Sequence, residues 1–156
     1  MVIMCGVNWA DARDFQRKKV YKFDEALIKL VAVAGSKYGL LSEEAITELI
    51  VSILKRYNIP YLPTIEFNPE SVVRATGTLY RICLPDWSRH KLVIFHELAH
   101  AIAQYKVKKG EYAPHGPEFV AIYMRIVSDY LSIDLKVLTT MAKEMRIKYK
   151  RGYLNV

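Results

Sequence analysis

The chain has 156 residues, 52% of them hydrophobic and 25% charged, with only 7 Gly and 6 Pro. That apolar content suffices for one globular core and excludes a disordered, collagen-like or low-complexity chain. The formal net charge of +7 suits a polyanionic partner but says little about fold or chemistry.

No repeat or linker interrupts the chain, so residues 1–156 are read as a single domain. Asp11 to Ser36 reads as a first helix, with Val20, Phe23, Leu27, Leu30, Val31 and Ala34 recurring at helical intervals. Ser42 followed by Glu43 and Glu44 marks a second helix start, with acids against the positive end of the helix dipole. That helix stops before Pro60, because the residue preceding a proline disfavours helical geometry. Between Ile59 and Pro85 the prolines and short apolar bursts predict strands, with Gly77 turning one short strand into the next. Three helices follow, over Ser88 to Val107, Gly116 to Leu131 and Asp134 to Tyr149. The expected class is therefore α+β: about five helices with a small antiparallel sheet of about three strands.

The longest unbroken apolar run, Leu30 to Ala34, is far shorter than the roughly 18 residues that suggest a membrane span. The first residues, from Met1 to Gly6, lack the basic lead-in of a signal peptide. No membrane partner is expected, and the expected setting is the cytoplasm. Cys5 and Cys83 form no metal-ligand spacing and are expected to be reduced, partly buried thiols.

The chemistry concentrates in one helix. Between Leu92 and Ala103 the only polar residues are His96, Glu97 and His100. Burying two imidazoles and a carboxylate without partners costs about 1–3 kcal/mol each, so something must compensate. His96 and His100 are four apart and share a helix face, the spacing at which both can reach one zinc ion with Glu97 beside it as general base. Catalytic zinc takes three protein ligands and keeps one position open. His115, at the mouth of the next helix, is the preferred third ligand. Glu118 is the alternative, but it falls in a first helical turn, where an acid has a dipole-stabilising role, and Glu111 comes after it.

His96-Glu-Leu-Ala-His100 followed by His115-Gly-Pro-Glu-Phe119 resembles the zincin metallopeptidases, most nearly the SprT-like group, whose third ligand is a His in a His-Gly motif on the following helix. The wider stretch is similar to small metallohydrolases of actinobacteria and their phages. There Arg13 to Tyr21 and the strand ending Leu84-Pro-Asp-Trp87 find counterparts ahead of the motif helix. The stronger part of the resemblance covers residues 74–131. It implies a zincin-like domain, one Zn(2+) per chain on His96, His100 and His115, Glu97 as catalytic base, and a peptide or protein substrate. It also extends the expected setting to a host cytoplasm for a phage-encoded chain. The metzincin third histidine, a Met-turn and a cysteine-rich ribbon are all lacking.

In that mechanism the ion lowers the pKa of a water, Glu97 takes its proton and later returns it to the leaving amine. Tyr123 and Tyr112 are the candidate oxyanion donors, and the strand Thr78 to Leu84 is the expected edge for an extended peptide. His90 reads as a surface residue, Trp87 as a seal on the helix entry with a wall of the cleft as its other reading, and Met124, Met141 and Met145 as core fillers. A second reading comes from the basic C-terminus. Arg146, Lys148, Lys150 and Arg151, with Tyr149 and Tyr153 interleaved for stacking, are candidate nucleic-acid contacts around a structural or vestigial zinc site. Arg13, Arg17, Lys18, Lys19 and Lys22 form another basic group. A non-peptide amide or ester is a third substrate class open to the same zinc chemistry.

Overall fold

A computed structural model describes residues 14–33, 39–70 and 72–155. Among them are five α-helices and a three-stranded sheet, an α+β arrangement. Helix α1 (Arg17–Val33) buries Val20, Phe23, Leu27 and Val31 as one stripe. The ends expected for this helix, at Asp11 and Ser36, lie outside the described residues, as does Cys5. Helix α2 (Glu43–Arg56) starts as expected, with the Ser42 hydroxyl accepting from the Ala45 amide at 3.2 Å. It ends with Asn58 in the left-handed region, where the Asn58 amide donates to the Lys55 carbonyl and the Ile59 amide to that of Leu54.

The sheet is mixed rather than antiparallel. Strands β1 (Thr64–Phe67), β2 (Thr76–Gly77) and β3 (Arg81–Leu84) lie in the order β1-β3-β2. β2 pairs antiparallel with β3 through a tight turn, while β1 pairs parallel with β3 in the register Thr64 to Arg81 through Phe67 to Leu84. The chain reverses twice between β1 and β3, so the two strands point the same way once β3 takes the middle position. Gly77 belongs to β2 and not to the turn. The turn is made by Thr78, whose amide donates to the Arg81 carbonyl and whose hydroxyl accepts from the Arg81 amide. Gly77 is needed for another reason: a Cβ there would stand 2.0 Å from the backbone oxygen of Glu97. Strand and helix backbones meet at this point.

After a 3₁₀ turn at Asp86–Ser88 comes helix α3 (Lys91–Lys106), buried on nearly every face. Apart from His96, Glu97 and His100 its middle is apolar all round, as the sequence suggested, because α1, α2, α4, β2 and β3 pack around it. Helix α4 (Pro117–Leu131) packs along it and starts with Gly116 as N-cap and Pro117 at the first position. Helix α5 (Leu135–Glu144) is shorter than expected. Arg146 adopts the left-handed conformation, its amide donates to the Lys143 carbonyl, and the Ile147 amide donates to that of Ala142, ending the helix with Ile147 buried. The basic tail is therefore not a helix end. It runs back along the start of α4, where the Lys150 amide donates to the Pro117 carbonyl, and closes in a 3₁₀ turn at Arg151–Asn155. No helix of the described residues is long and apolar enough to cross a membrane.

Candidate metal centre

Helix α3 presents His96 and His100 one turn apart, and the loop from Val107 to Gly116 brings His115 to meet them. His96, His100, His115 and Glu97 are 7%, 9%, 5% and 8% exposed. Nε2 of His96 lies 3.2 Å from Nε2 of His115 and 3.2 Å from Nε2 of His100. His115 reaches this point from a left-handed backbone (φ 52°), a conformation uncommon outside glycine and asparagine. Gly116 follows in a turn closed by its amide on the Ala113 carbonyl at 2.9 Å, where an added Cβ would crowd that same carbonyl.

The far ring nitrogen of each histidine has its own oxygen partner. Nδ1 of His96 lies 3.1 Å from Asp24 Oδ2, Nδ1 of His115 lies 3.0 Å from Asp14 Oδ1, and Nδ1 of His100 lies 2.7 Å from the Tyr112 hydroxyl. A carboxylate can only accept, so the proton of His96 and of His115 sits on Nδ1 and leaves Nε2 bare. His100 takes the same tautomer when Tyr112 accepts from it. With all three rings neutral in this tautomer, three bare nitrogens converge with no hydrogen between them, an arrangement that a cation satisfies and that hydrogen bonding does not. These three histidines can hold a metal ion.

At two of the three histidines the surroundings favour the neutral form. Burial, with His115 and His96 as neighbours, pushes His100 well below the usual histidine pKa. Burial and His96 bring His115 down to about 4, against the opposing pull of Asp14 and Asp24. At His96 burial also pushes down, but Asp24 and Glu97 together outweigh it and the net shift is upward. Glu97 is raised to about 7, chiefly by burial and also by Asp24, while His96 and a hydrogen bond from the Gly77 backbone restrain the rise. Its carboxyl is thereby poised near neutrality in the wall of the same cleft.

That cleft has a volume of about 390 Å³. The three histidines and Glu97 line one part of it, and Tyr21, Ile28, Leu92, Val93, Ala75 and Trp87 give the rest a largely apolar lining. The Tyr21 ring stacks on His96 at 6.1 Å and meets His115 edge-on at 5.4 Å. Phe119 stacks on His100 at 4.3 Å.

Other sequence expectations change. Glu118 is not part of the cluster; its carboxylate binds Lys150 Nζ at 3.1 Å, because the first turn of α4 points it at the returning tail. Glu111 pairs with Lys108 at the surface. Tyr112 stands behind His100, with its hydroxyl committed to that ring, and does not line the cleft as an oxyanion donor would. Tyr123 does line it, ring against His96 at 5.4 Å. The segment Thr78 to Leu84 offers no edge, since β3 is the middle strand; the edge strand on this side is β2. Trp87 is half exposed on the cleft wall, its indole nitrogen donating to the Val73 carbonyl at 3.0 Å.

The tail residues also differ. Tyr149 and Tyr153 pack against the core instead of projecting for stacking. Arg146, Lys148 and Arg151 are exposed, and Lys150 is exposed but paired with Glu118. The two basic groups do come together: Lys19 Nζ donates to the Arg146 carbonyl at 3.0 Å and Lys148 Nζ lies over the Phe15 ring at 5.6 Å.

Sequence reasoning missed Asp14 and Asp24. Asp24 carried a signal, because it lies four residues after Val20 and three before Leu27, on the apolar stripe of α1 where an acid needs a partner. Asp14 carried none. Comparison with family models, with curated proteins and with solved structures gives no significant match for this chain.

Proposed function

We propose that the chain is a zinc-dependent peptidase of the zincin type, with one Zn(2+) per chain on His96, His100 and His115. The observation that carries the reading is Glu97: a buried carboxyl beside three converging histidines in one cleft. A purely structural site needs no such base and fills its fourth position with protein. A zinc ion there supplies Lewis acidity, lowering the pKa of water and polarising a substrate carbonyl. Glu97 would take the proton of the attacking water and deliver it to the leaving amine. Tyr123 is the candidate donor to the developing oxyanion, and β2 is the strand that an extended peptide would pair with. The cysteine-poor composition fits a cytoplasmic setting.

The test is Glu97→Gln, which is expected to keep zinc and lose hydrolysis of an unfolded protein such as casein by at least about 100-fold. Undiminished hydrolysis in that variant would overturn the mechanism.

A second reading rests on the basic face where α1 meets the tail. Lys18, Lys19, Lys22, Arg146 and Lys148 are exposed there, and a nucleic acid is the polyanion that such a surface would take. Salt-sensitive binding of an oligonucleotide that weakens on neutralising Lys18, Lys22 and Lys148, without any hydrolytic activity, would favour this reading over the first.

A further inference from the structure

We infer that the segment from Asp14 to Asp24 is a working part of the metal centre, so that zinc binding and docking of the first turn of α1 are one linked equilibrium. The inference rests on the metal-binding part of the proposed function and not on the peptidase reading. Its chemistry is in the hydrogen bonds. The ligands come from α3 and the loop before α4, but the carboxylates that fix two of their rings come from this N-terminal segment: Asp24 on His96 and Asp14 on His115. Asp14 is itself held by Arg17, at 2.6 Å.

Gln16 locks the segment in place. It is 1% exposed, and its amide nitrogen donates to the His115 carbonyl at 2.9 Å and to the Lys148 carbonyl at 3.0 Å, while its oxygen accepts from the Lys148 amide at 2.9 Å. One side chain thus joins the start of α1, the backbone of a metal ligand and the returning tail. His115 stands in a left-handed conformation with its carbonyl and its ring both held from this segment. If Asp14 and Gln16 leave, His115 loses both holds. Carboxylates behind metal histidines typically contribute about 10–100-fold in affinity. Coupling is reciprocal, so a saturating ion must favour the docked segment by the factor that docking adds to affinity.

The experiment uses the full chain stripped of metal and titrated with Zn(2+) alone. Zinc affinity is read by competition with a chromophoric chelator, and docking by the rate of trypsin cleavage after Lys18 and Lys19, with cleavage after Lys136 in α5 as the reference. In the wild type, saturating zinc should slow cleavage after Lys18 and Lys19 by about 10-fold or more relative to Lys136. Asp14→Asn and Asp24→Asn should each weaken zinc about 10–100-fold and shrink the zinc-induced rise in melting temperature more than they change the melting of the metal-free protein. The wild-type protection assay needs no variant to fold.

Zinc that binds the wild type without protecting Lys18 and Lys19, or that binds both variants as tightly as wild type, overturns the inference and leaves the metal site standing. Equal losses of melting temperature with and without zinc, at unchanged affinity, show a merely structural role and overturn it too. A wild type that binds no zinc overturns the metal reading itself.

Discussion

Replacing Gly77 with alanine tests the contact that fixes Glu97 in the cleft wall. The added methyl would meet the backbone of Glu97 at 2.0 Å from the oxygen, 2.6 Å from the carbonyl carbon and 2.8 Å from Cα, whereas ordinary contact begins near 3.4 Å. Both partners are main chain, so no flexible side chain can swing aside, and β2 must retreat from α3 by about 1.4 Å. Overpacking of this kind costs about 1–3 kcal/mol, and the rigid neighbours put this case at the upper end. At about 2–4 °C per kcal/mol for a chain of this size, the melting temperature should fall by about 6–12 °C. The retreat also withdraws the backbone hydrogen bond from Gly77 that restrains the pKa of Glu97, so the carboxyl should titrate higher than about 7. Differential scanning calorimetry of the metal-free protein reads the first effect. A Gly77→Ala chain melting within about 1 °C of wild type would refute the close approach of strand and helix.

Two further outcomes follow from the same geometry. At pH 6 the Glu97 carboxyl, with its pKa raised to about 7, is mostly protonated, and a neighbouring divalent ion favours the carboxylate. Calorimetry of zinc binding in buffers of different ionisation enthalpy should therefore show about one proton fewer released at pH 6 by Glu97→Gln than by wild type, a difference that fades by pH 8. Equal release at pH 6 would contradict the raised pKa. Tyr112→Phe removes the oxygen that holds His100 Nδ1 and should weaken zinc about 10-fold, whereas affinity unchanged by the substitution would leave Tyr112 without the orienting role.

The helix stripes, the Ser42 cap and the Gly-Pro start of α4 were legible because each rests on local chemistry that a sequence displays. So was the spacing of His96, Glu97 and His100. The end of α5 was not, since the left-handed position is taken by Arg146, and arginine does not advertise that conformation as glycine does. Gly77 was legible as a special residue but not for the right reason, because its role depends on a backbone 20 residues later. The parallel pairing of β1 with β3 depends on which strand takes the middle of the sheet, and no local pattern encodes that order. At the centre itself, the ligands stood out as polar residues in an apolar helix, while Asp14 supports His115 across 101 positions of chain. Supporting contacts of that range exist only once the fold brings the segments together.

Metal analysis of protein purified without added metal decides whether the three histidines form a metal centre. One zinc per wild-type chain is expected, with much weaker retention in His115→Ala. No zinc in the wild type would contradict the zinc centre, and zinc retained undiminished in His115→Ala would contradict the role given to His115.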